Sequence, residues 1–464
     1  MNKINIGVLL LFAALLQSCL FYKKANQENM GELKNESALK ENVAIPDQWI
    51  FSKNADTTNF DLSWIKELHT AQLQELINEG IKYNSNILIN QEKLNQVELS
   101  MDIAGSNLFP SVNAISGSSN NLVSGSQVRG MAVNTNWELD LWGKNKANKM
   151  SSVSDYFSSK YINDKVQQTI AGSIAKSYFL NIASAIQIKK VAQYLSITKE
   201  LEKLYELRQE VGMANAIDIS NIKTEIITIE SYLEQIKNAN VQSKRSIELL
   251  LGRYPEGKIE VDGSFLYPKS KLPEVIPLPL LENRPDILAR HFQIEKNFYD
   301  VQVAKAARLP SLSLNARIGT ANTNVSAING LFNNPLINVG GNMMTPLFNG
   351  GTLKKNIEIE NSQQKVAVEE YAQTVLNALN EVESSIANIN SVEKQLEYNL
   401  KTQEAQNENI LLTKQQIEIG SNNNFELLLK QRNNLKVSVK ETDLILQDRV
   451  ERINLYLALG APEF

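Results

Sequence analysis

The sequence predicts a mainly α-helical chain with a small membrane β component, built from two copies of one unit. Three observations predict it. Landmarks recur at a near-constant offset, two very long stretches lack proline and space their apolar residues as coiled coils do, and short segments alternate polar with apolar residues.

The repeat sets the architecture. "NSNILI…NLFPSV" from Asn84 matches "RPDILA…ARLPSL" from Arg284, with Pro110 and Pro310 offset by 200 residues. "LWGK" matches "FNGG", Gly143 against Gly350, an offset of 207. "EVGMANAIDI" matches "EIGSNNNFEL", Gly212 against Gly420, and "LLLG" matches "LALG", Gly252 against Gly460, both offset by 208. Four landmarks in one order at so steady a spacing indicate duplication. A Pro-rich segment joins the copies. Each copy reads helix, strand, loop, strand, very long helix, turn, helix.

The N-terminus reads as a secretory signal: Lys3, an apolar run from Ile4 to Leu16, then "LQSC" ending at Cys19. The run is too short to span a bilayer as a helix. Cys19 is the chain's single cysteine and stands at the cleavage position. The pattern resembles the lipobox of bacterial lipoproteins, in which that cysteine becomes the acylated first residue. Leu20 in place of aspartate then implies passage to the outer membrane. Residues 1–18 are assigned to the signal, 19–60 to a lipidated tether, 61–255 to the first repeat, 256–283 to a linker and 284–464 to the second repeat.

In the first copy, Lys144 to Glu210 contains no proline and one glycine, Gly172. A helix of that length spans on the order of 100 Å. Ile222, Ile226, Ile229, Leu233, Ile236, Ile247 and Leu250 follow steps of four and three, with Asn240 and Ser243 on the same stripe. Val375, Leu379, Val382, Ile386 and Ile389 repeat the pattern in the second copy. This is a coiled-coil seam. Gly212 and Gly420 suit helix C-caps before tight reversals. Arg284-Pro285-Asp286 reads as a helix start and nothing more.

The strands differ in kind. Through "NTNWELDLW", Asn134, Asn136, Glu138 and Asp140 fall on one side, and Thr135, Trp137, Leu139 and Leu141 on the other. Leu312, Leu314, Ala316 and Ile318 alternate with Ser311, Ser313, Asn315 and Arg317. About ten residues per strand with such alternation is the pattern of a membrane barrel. Glu138, Asp140, Asn315 and Arg317 are then candidates for the lumen. Phe109, Trp137, Trp142, Leu309 and Phe348 stand at or near strand–helix junctions, where an interfacial girdle belongs. Two hairpins give four strands, the smallest membrane barrels need about eight, and open edges are not tolerated in lipid. A barrel therefore requires several chains.

Composition excludes other classes. A net charge of −4 offers no basic surplus for phosphate neutralisation, which argues against nucleic acid. Two histidines and one cysteine leave little for a metal cluster or disulfide framework, and no cofactor is expected. His291 reads as a structural or surface residue. Met343 and Met344 read as the two faces of a strand rather than a copper site. No nucleophile elbow, phosphate-cradling glycine loop, HExxH or CxxC is present, so an enzyme is not expected.

With these residues in view, the chain resembles the TolC-like outer-membrane efflux proteins, and among them the lipidated subgroup serving resistance-nodulation-division pumps. "WELDLWGK", "LLLGRYP", "LENRPDILA", "VAKAARLPSLSL", "TPLFNGGTLK" and "YLALGAPEF" carry the resemblance, in family order from about residue 64 to the end. It implies a homotrimer with a twelve-stranded barrel and a helical periplasmic tunnel, a periplasmic adaptor, and an inner-membrane pump that supplies the energy. The helical tips would meet the adaptor and form the gate: Gly212 and Asp218 in the first copy, and Gly420, Asn422, Asn423, Asn424, Phe425, Glu426 and Leu429 in the second. Members often close that end with an aspartate ring in a motif like "LLDAQR". Here the stretch is "LLLKQR", with Leu429 at the aspartate position, which implies partly apolar closure with Glu426 nearby. The competing reading is a lipidated coiled-coil adaptor or structural protein without a channel.

Overall fold

The computed structural model describes residues 24, 30, 70–120, 127–263, 278–322 and 335–460. Cys19, the signal segment, most of the tether and both hairpin loops lie outside the described residues. Two helices, α1 (Ala71–Tyr83) and α2 (Ser85–Ser106), precede strands β1 (Ser111–Asn120) and β2 (Gln127–Leu139). Helices α3 (Lys144–Glu210) and α4 (Ala216–Leu250) complete the first copy. A 3-10 turn at Leu278–Asn283 leads to α5 (Pro285–Ala306), β3 (Ser311–Asn322), β4 (Leu336–Met344), α6 (Thr352–Glu418) and α7 (Asn424–Ala458).

The duplication is quantitative. Helices α2 and α5 each have 22 residues, α3 and α6 each have 67, and α4 and α7 each have 35. None of the described helices is long and apolar enough to cross a membrane.

By packing, the chain divides into two units. One comprises residues Gln91–Ile162 and Asp286–Thr374 together with the N-terminal segment. It holds the antiparallel sheet, ordered β1-β2-β3-β4. Its helical part buries Ile294, Phe298, Tyr299, Ala367 and Val368 with Met30. Phe292 stacks on Phe157 at 5.1 Å and on Tyr161 at 5.7 Å, and His291 lies edge-on to it. Asp300 accepts from Ser151 at 2.6 Å and from Lys296 at 2.9 Å. Burial pushes the nearby Asp155 carboxyl up.

The other unit contains residues Asn163–Pro285 and Val375–Phe464, with Ile45–Asn90. The predicted seam is its core. Ile222, Ile226, Ile229, Leu233, Ile236, Ser243 and Ile247 are buried on α4, whereas Leu250 is half-buried. On α6, Val382, Ile386 and Ile389 are buried and Val375 and Leu379 half-buried. The polar break in the α4 stripe is satisfied reciprocally. Asn181 donates to the Asn240 carbonyl at 3.1 Å and the Ser243 hydroxyl at 2.9 Å, while Asn240 donates to the Asn181 carbonyl and the Ser184 hydroxyl. A paired amide in an apolar seam permits one register, because any slip leaves its donors unmet.

Two features exceed the sequence reading. Arg284 is more than the start of α5: its side chain is 1% exposed, donates to the Ala458 carbonyl at 2.7 Å and pairs with Glu381 at 2.8 Å. It ties the second repeat's beginning to its end. Glu225 on α4 forms a joint with two other helices, accepting from Tyr194 (α3) at 2.5 Å, Lys436 at 2.8 Å and Arg432 at 3.0 Å (both α7). Burial alone would raise the Glu225 carboxyl. Hydrogen bonds from Lys436 and Tyr194 and the charge of Arg432 outweigh it, so the group is held below the ordinary value of 4.5.

Two expectations follow from these buried charges. Arg452 bonds Asp448 at 2.9 Å and Glu393 at 2.8 Å, with Arg452 1% and Asp448 0% exposed. Arg452→Ala strands Asp448 and costs about 3–5 kcal/mol in thermal unfolding, far more than a surface arginine. The lowered Glu225 value makes its contribution complete above the unfolded value near 4.5, with loss as pH falls through the folded value. Glu225→Gln therefore loses about 1 kcal/mol at neutral pH, discounted for partial exposure, and its melting profile lacks that acid step.

Candidate functional site

The sheet is the first candidate element. Register sets Ser111 and Asn113 of β1 beside Asn136 and Asn134 of β2, and these beside Asn315 and Arg317 of β3. Glu138 pairs with Ser313, Ser313 with Asn342, and Arg317 with Asn338 of β4. One face is thus mostly amides and hydroxyls, with Ile115, Ala132, Leu336 and Met344 among its apolar members. The opposite face carries Val112, Ala114, Val133, Trp137, Leu312, Leu314, Ala316, Ile318, Ile337, Val339 and Met343. Met343 and Met344 fall on opposite faces, as alternation requires. The outer edges of β1 and β4 pair with no strand of the described chain.

The junction after β2 departs from the sequence reading. The alternation through Trp142 predicts strand to that point, but β2 ends at Leu139. The Asp140 carboxylate accepts from the backbone N–H groups of Asn145 at 2.9 Å and Lys146 at 2.8 Å. It therefore caps α3 at the positive end of the helix dipole. A helix cap competes with the strand for this residue, and the cap wins. Glu138 pairs with Lys144 at 2.5 Å, so its charge is neutralised locally. Trp142 donates to the Pro310 carbonyl at 2.6 Å, and Trp137 to the Leu108 carbonyl at 3.0 Å. Each indole is thereby fixed with its N–H satisfied. Phe109 and Phe348 are 72% and 91% exposed, and Leu347, which the sequence reading missed, is 93% exposed beside Phe348.

The helical turns are the second element. Gly212 and Gly420 both have φ +74°. The next residue's N–H reaches back to a carbonyl in the last turn, Met213 to Arg208 at 2.7 Å and Ser421 to Gln416 at 2.8 Å. This is one C-cap motif used twice, and its left-handed residue favours glycine. Asn215 and Asp218 form a reciprocal capping box at the start of α4. Asn423 caps α7 through the Glu426 N–H at 3.2 Å, and Asn422 donates to Gln416 at 2.9 Å. Asn424 is the first residue of α7. Asp218, Asn422 and Asn423 thus have structural duties in the turns.

Phe425 lies edge-on to Tyr205 at 4.9 Å, with the Arg208 guanidinium 4.4 Å from its ring centre. Leu429 packs, half-buried, on the cluster of Leu201, Ile222 and Leu428. A groove of about 360 Å³ runs between Leu204, Leu207 and Val211 of α3 and its C-terminal end, and Asn423 to Phe425. Val211, Met213, Ile217 and Ile419 are each more than two-thirds exposed around the turns. Their position flanking the two glycines was the available signal for this apolar tip. The Glu225 joint lies within three turns of it along α7, and nothing in sequence spacing announced the Tyr194, Arg432 and Lys436 contacts.

The comparisons agree with this geometry. The family model "outer membrane efflux protein" matches residues 76–253 and 277–461, one match per repeat. The chain is 25% identical over 430 residues to the probable efflux pump outer membrane protein TtgC of Pseudomonas putida, covering 88% of this chain and 87% of the relative. It is 24% identical over 436 residues to the probable outer membrane lipoprotein SilC of Salmonella typhimurium, covering 90% and 92%. It superposes on the Neisseria gonorrhoeae MtrE outer membrane channel with a TM-score of 0.77 at 19% identity, covering 90% and 96%. Duplicated helices of matched length, a small two-faced sheet and a family match across both repeats lead to one conclusion: the chain belongs to the outer membrane efflux protein family.

Proposed function

We propose that the chain is the outer-membrane exit duct of a tripartite efflux system, passing small toxic compounds outward without chemistry of its own. One observation carries the reading. A four-stranded antiparallel sheet has one apolar face, one polar face and two open edges. Lipid accepts the apolar face but not the edges, since each unpaired backbone group there costs several kcal/mol. β1 and β4 run in opposite directions, so β4 of one copy continues antiparallel pairing with β1 of the next. Three copies close a twelve-stranded barrel with Asn315, Arg317 and Glu138 facing its water and Trp137 its lipid. Phe109, Trp142 and Phe348 then form the interfacial girdle.

The long helices line a periplasmic tunnel, and a lipid on Cys19 anchors the chain, as the lipoprotein name of the Salmonella relative supports. Gly212 and Gly420 mark the turns that meet a periplasmic adaptor, through the exposed Val211, Met213 and Ile217, and an inner-membrane pump supplies the energy. Asp218, Asn422, Asn423 and Asn424 shape those turns, and Phe425, Glu426 and Leu429 form the gate. An adaptor or structural lipoprotein without a channel would leave the two-faced sheet without a purpose.

Three outcomes test this. Deleting the gene raises intracellular accumulation of at least one compound in a toxic panel, and restoring the chain reverses it. Unheated samples migrate on detergent gels as a trimer that heat converts to monomer, whereas an adaptor would run as a heat-insensitive monomer. Apolar closure at Leu429 predicts that millimolar divalent cations leave single-channel current nearly unchanged, while Leu429→Asp introduces block. Strong block of the unaltered protein would contradict the apolar gate.

A further inference from the structure

The charges of the strand–loop segments differ from those of the rest of the molecule. The whole chain is acidic at −4, yet residues 111–139 and 311–344, loops included, contain only three charged side chains: Arg129, Glu138 and Arg317. Glu138 is neutralised by Lys144 at 2.5 Å. Arg317 stands on the polar face of β3, exposed, with Asn134 on one side in register and Asn338 on the other. Its cross-strand neighbours are neutral amides, and no carboxylate shares its level of the sheet. One pleat farther along that face, Gly319 pairs with Ala132 and Leu336, so no charged side chain stands at that level either.

We propose that Arg317 is a selectivity residue: repeated once per copy at one level of the barrel, it forms a cationic ring that favours anions over cations in the outer-membrane part of the duct. This rests on the trimeric duct reading and adds the charge class of what passes. A fixed charge in a narrow aqueous passage walled by low-dielectric material concentrates counter-ions of opposite sign and excludes those of its own. Three guanidinium groups with only amides beside them across the strands provide such a field. Small solutes bearing carboxylate, sulfonate or phosphate groups are the class this stretch admits most readily.

The test is reversal potential in planar bilayers under a potassium chloride gradient, with purified full-length trimer and its Arg317→Gln and Arg317→Glu variants. Each variant is first checked for heat-modifiable trimer, so that lost folding is not mistaken for lost selectivity. The expected result is a fall in the chloride-to-potassium permeability ratio of about threefold for Arg317→Gln and a larger fall for Arg317→Glu. Raising salt above about 1 M, where the Debye length is near 3 Å, shrinks the difference. Equal reversal potentials for the three trimers overturn the filter while leaving the duct intact. No conductance from the unaltered trimer overturns the duct and the filter together.

Discussion

Backbone hydrogen bonding at the two outer edges of the sheet is the constraint on which the rest depends. Water satisfies an unpaired strand edge in a soluble protein, but hydrocarbon cannot. Strands β1 to β4 supply apolar residues to one face as if for lipid, yet β1 and β4 leave their outer edges for another chain to complete. Symmetry is the economical solution, because the direction of β4 relative to β1 allows the same antiparallel ladder to continue around a ring. The duplication doubles the strands per chain, so that few copies suffice. In the proposed duct, closure into a ring, the pore and the membrane position all answer that requirement.

The helices answer a different demand. In the proposed tunnel, a wall with water on both sides cannot be uniformly apolar, so its stability has to come from narrow seams and satisfied polar contacts. The α4 seam is apolar except at Asn240 and Ser243, where paired amides fix the register against Asn181 and Ser184. Arg452 is buried with Asp448 and Glu393, and Arg284 with Glu381 and a helix-end carbonyl. Such pairs contribute specificity more than net stability, since desolvation offsets much of their attraction. The Glu225 joint is the partly exposed version, linking α3, α4 and α7 through one carboxylate.

Periodic features were the most legible in the sequence. The repeat offset, the 67-residue helices, the seam and the two glycine caps were all readable because each depends on local spacing. Strand alternation was readable for the same reason, and it misled only where a second local rule overlapped it. Asp140 obeys the strand's parity and also suits a helix N-cap, and the two unmet amides of Asn145 and Lys146 decide in favour of the cap. Contacts between residues distant in sequence were not readable. Trp142 finds the Pro310 carbonyl across 168 residues, and Arg284 finds Ala458 across 174. Arg284 looked like part of a helix start because its local context explained it fully. Among the candidate site residues, Phe425 and Leu429 were chosen by position relative to Gly420, but their packing on Tyr205, Leu201 and Ile222 comes from the other repeat.

The most direct measurement of edge completion is disulfide trapping between copies. Asn113→Cys on β1 is combined in turn with Asn338→Cys, Gly340→Cys and Asn342→Cys on β4, in membranes under mild oxidation. Inter-strand continuity between chains predicts that at least one pair yields covalent dimer and closed trimer at low protein density, while each single variant is monomeric on heated, reducing-agent-free gels. Monomer from every pair, or bonds formed only within one chain, would contradict the claim that sister copies complete the sheet.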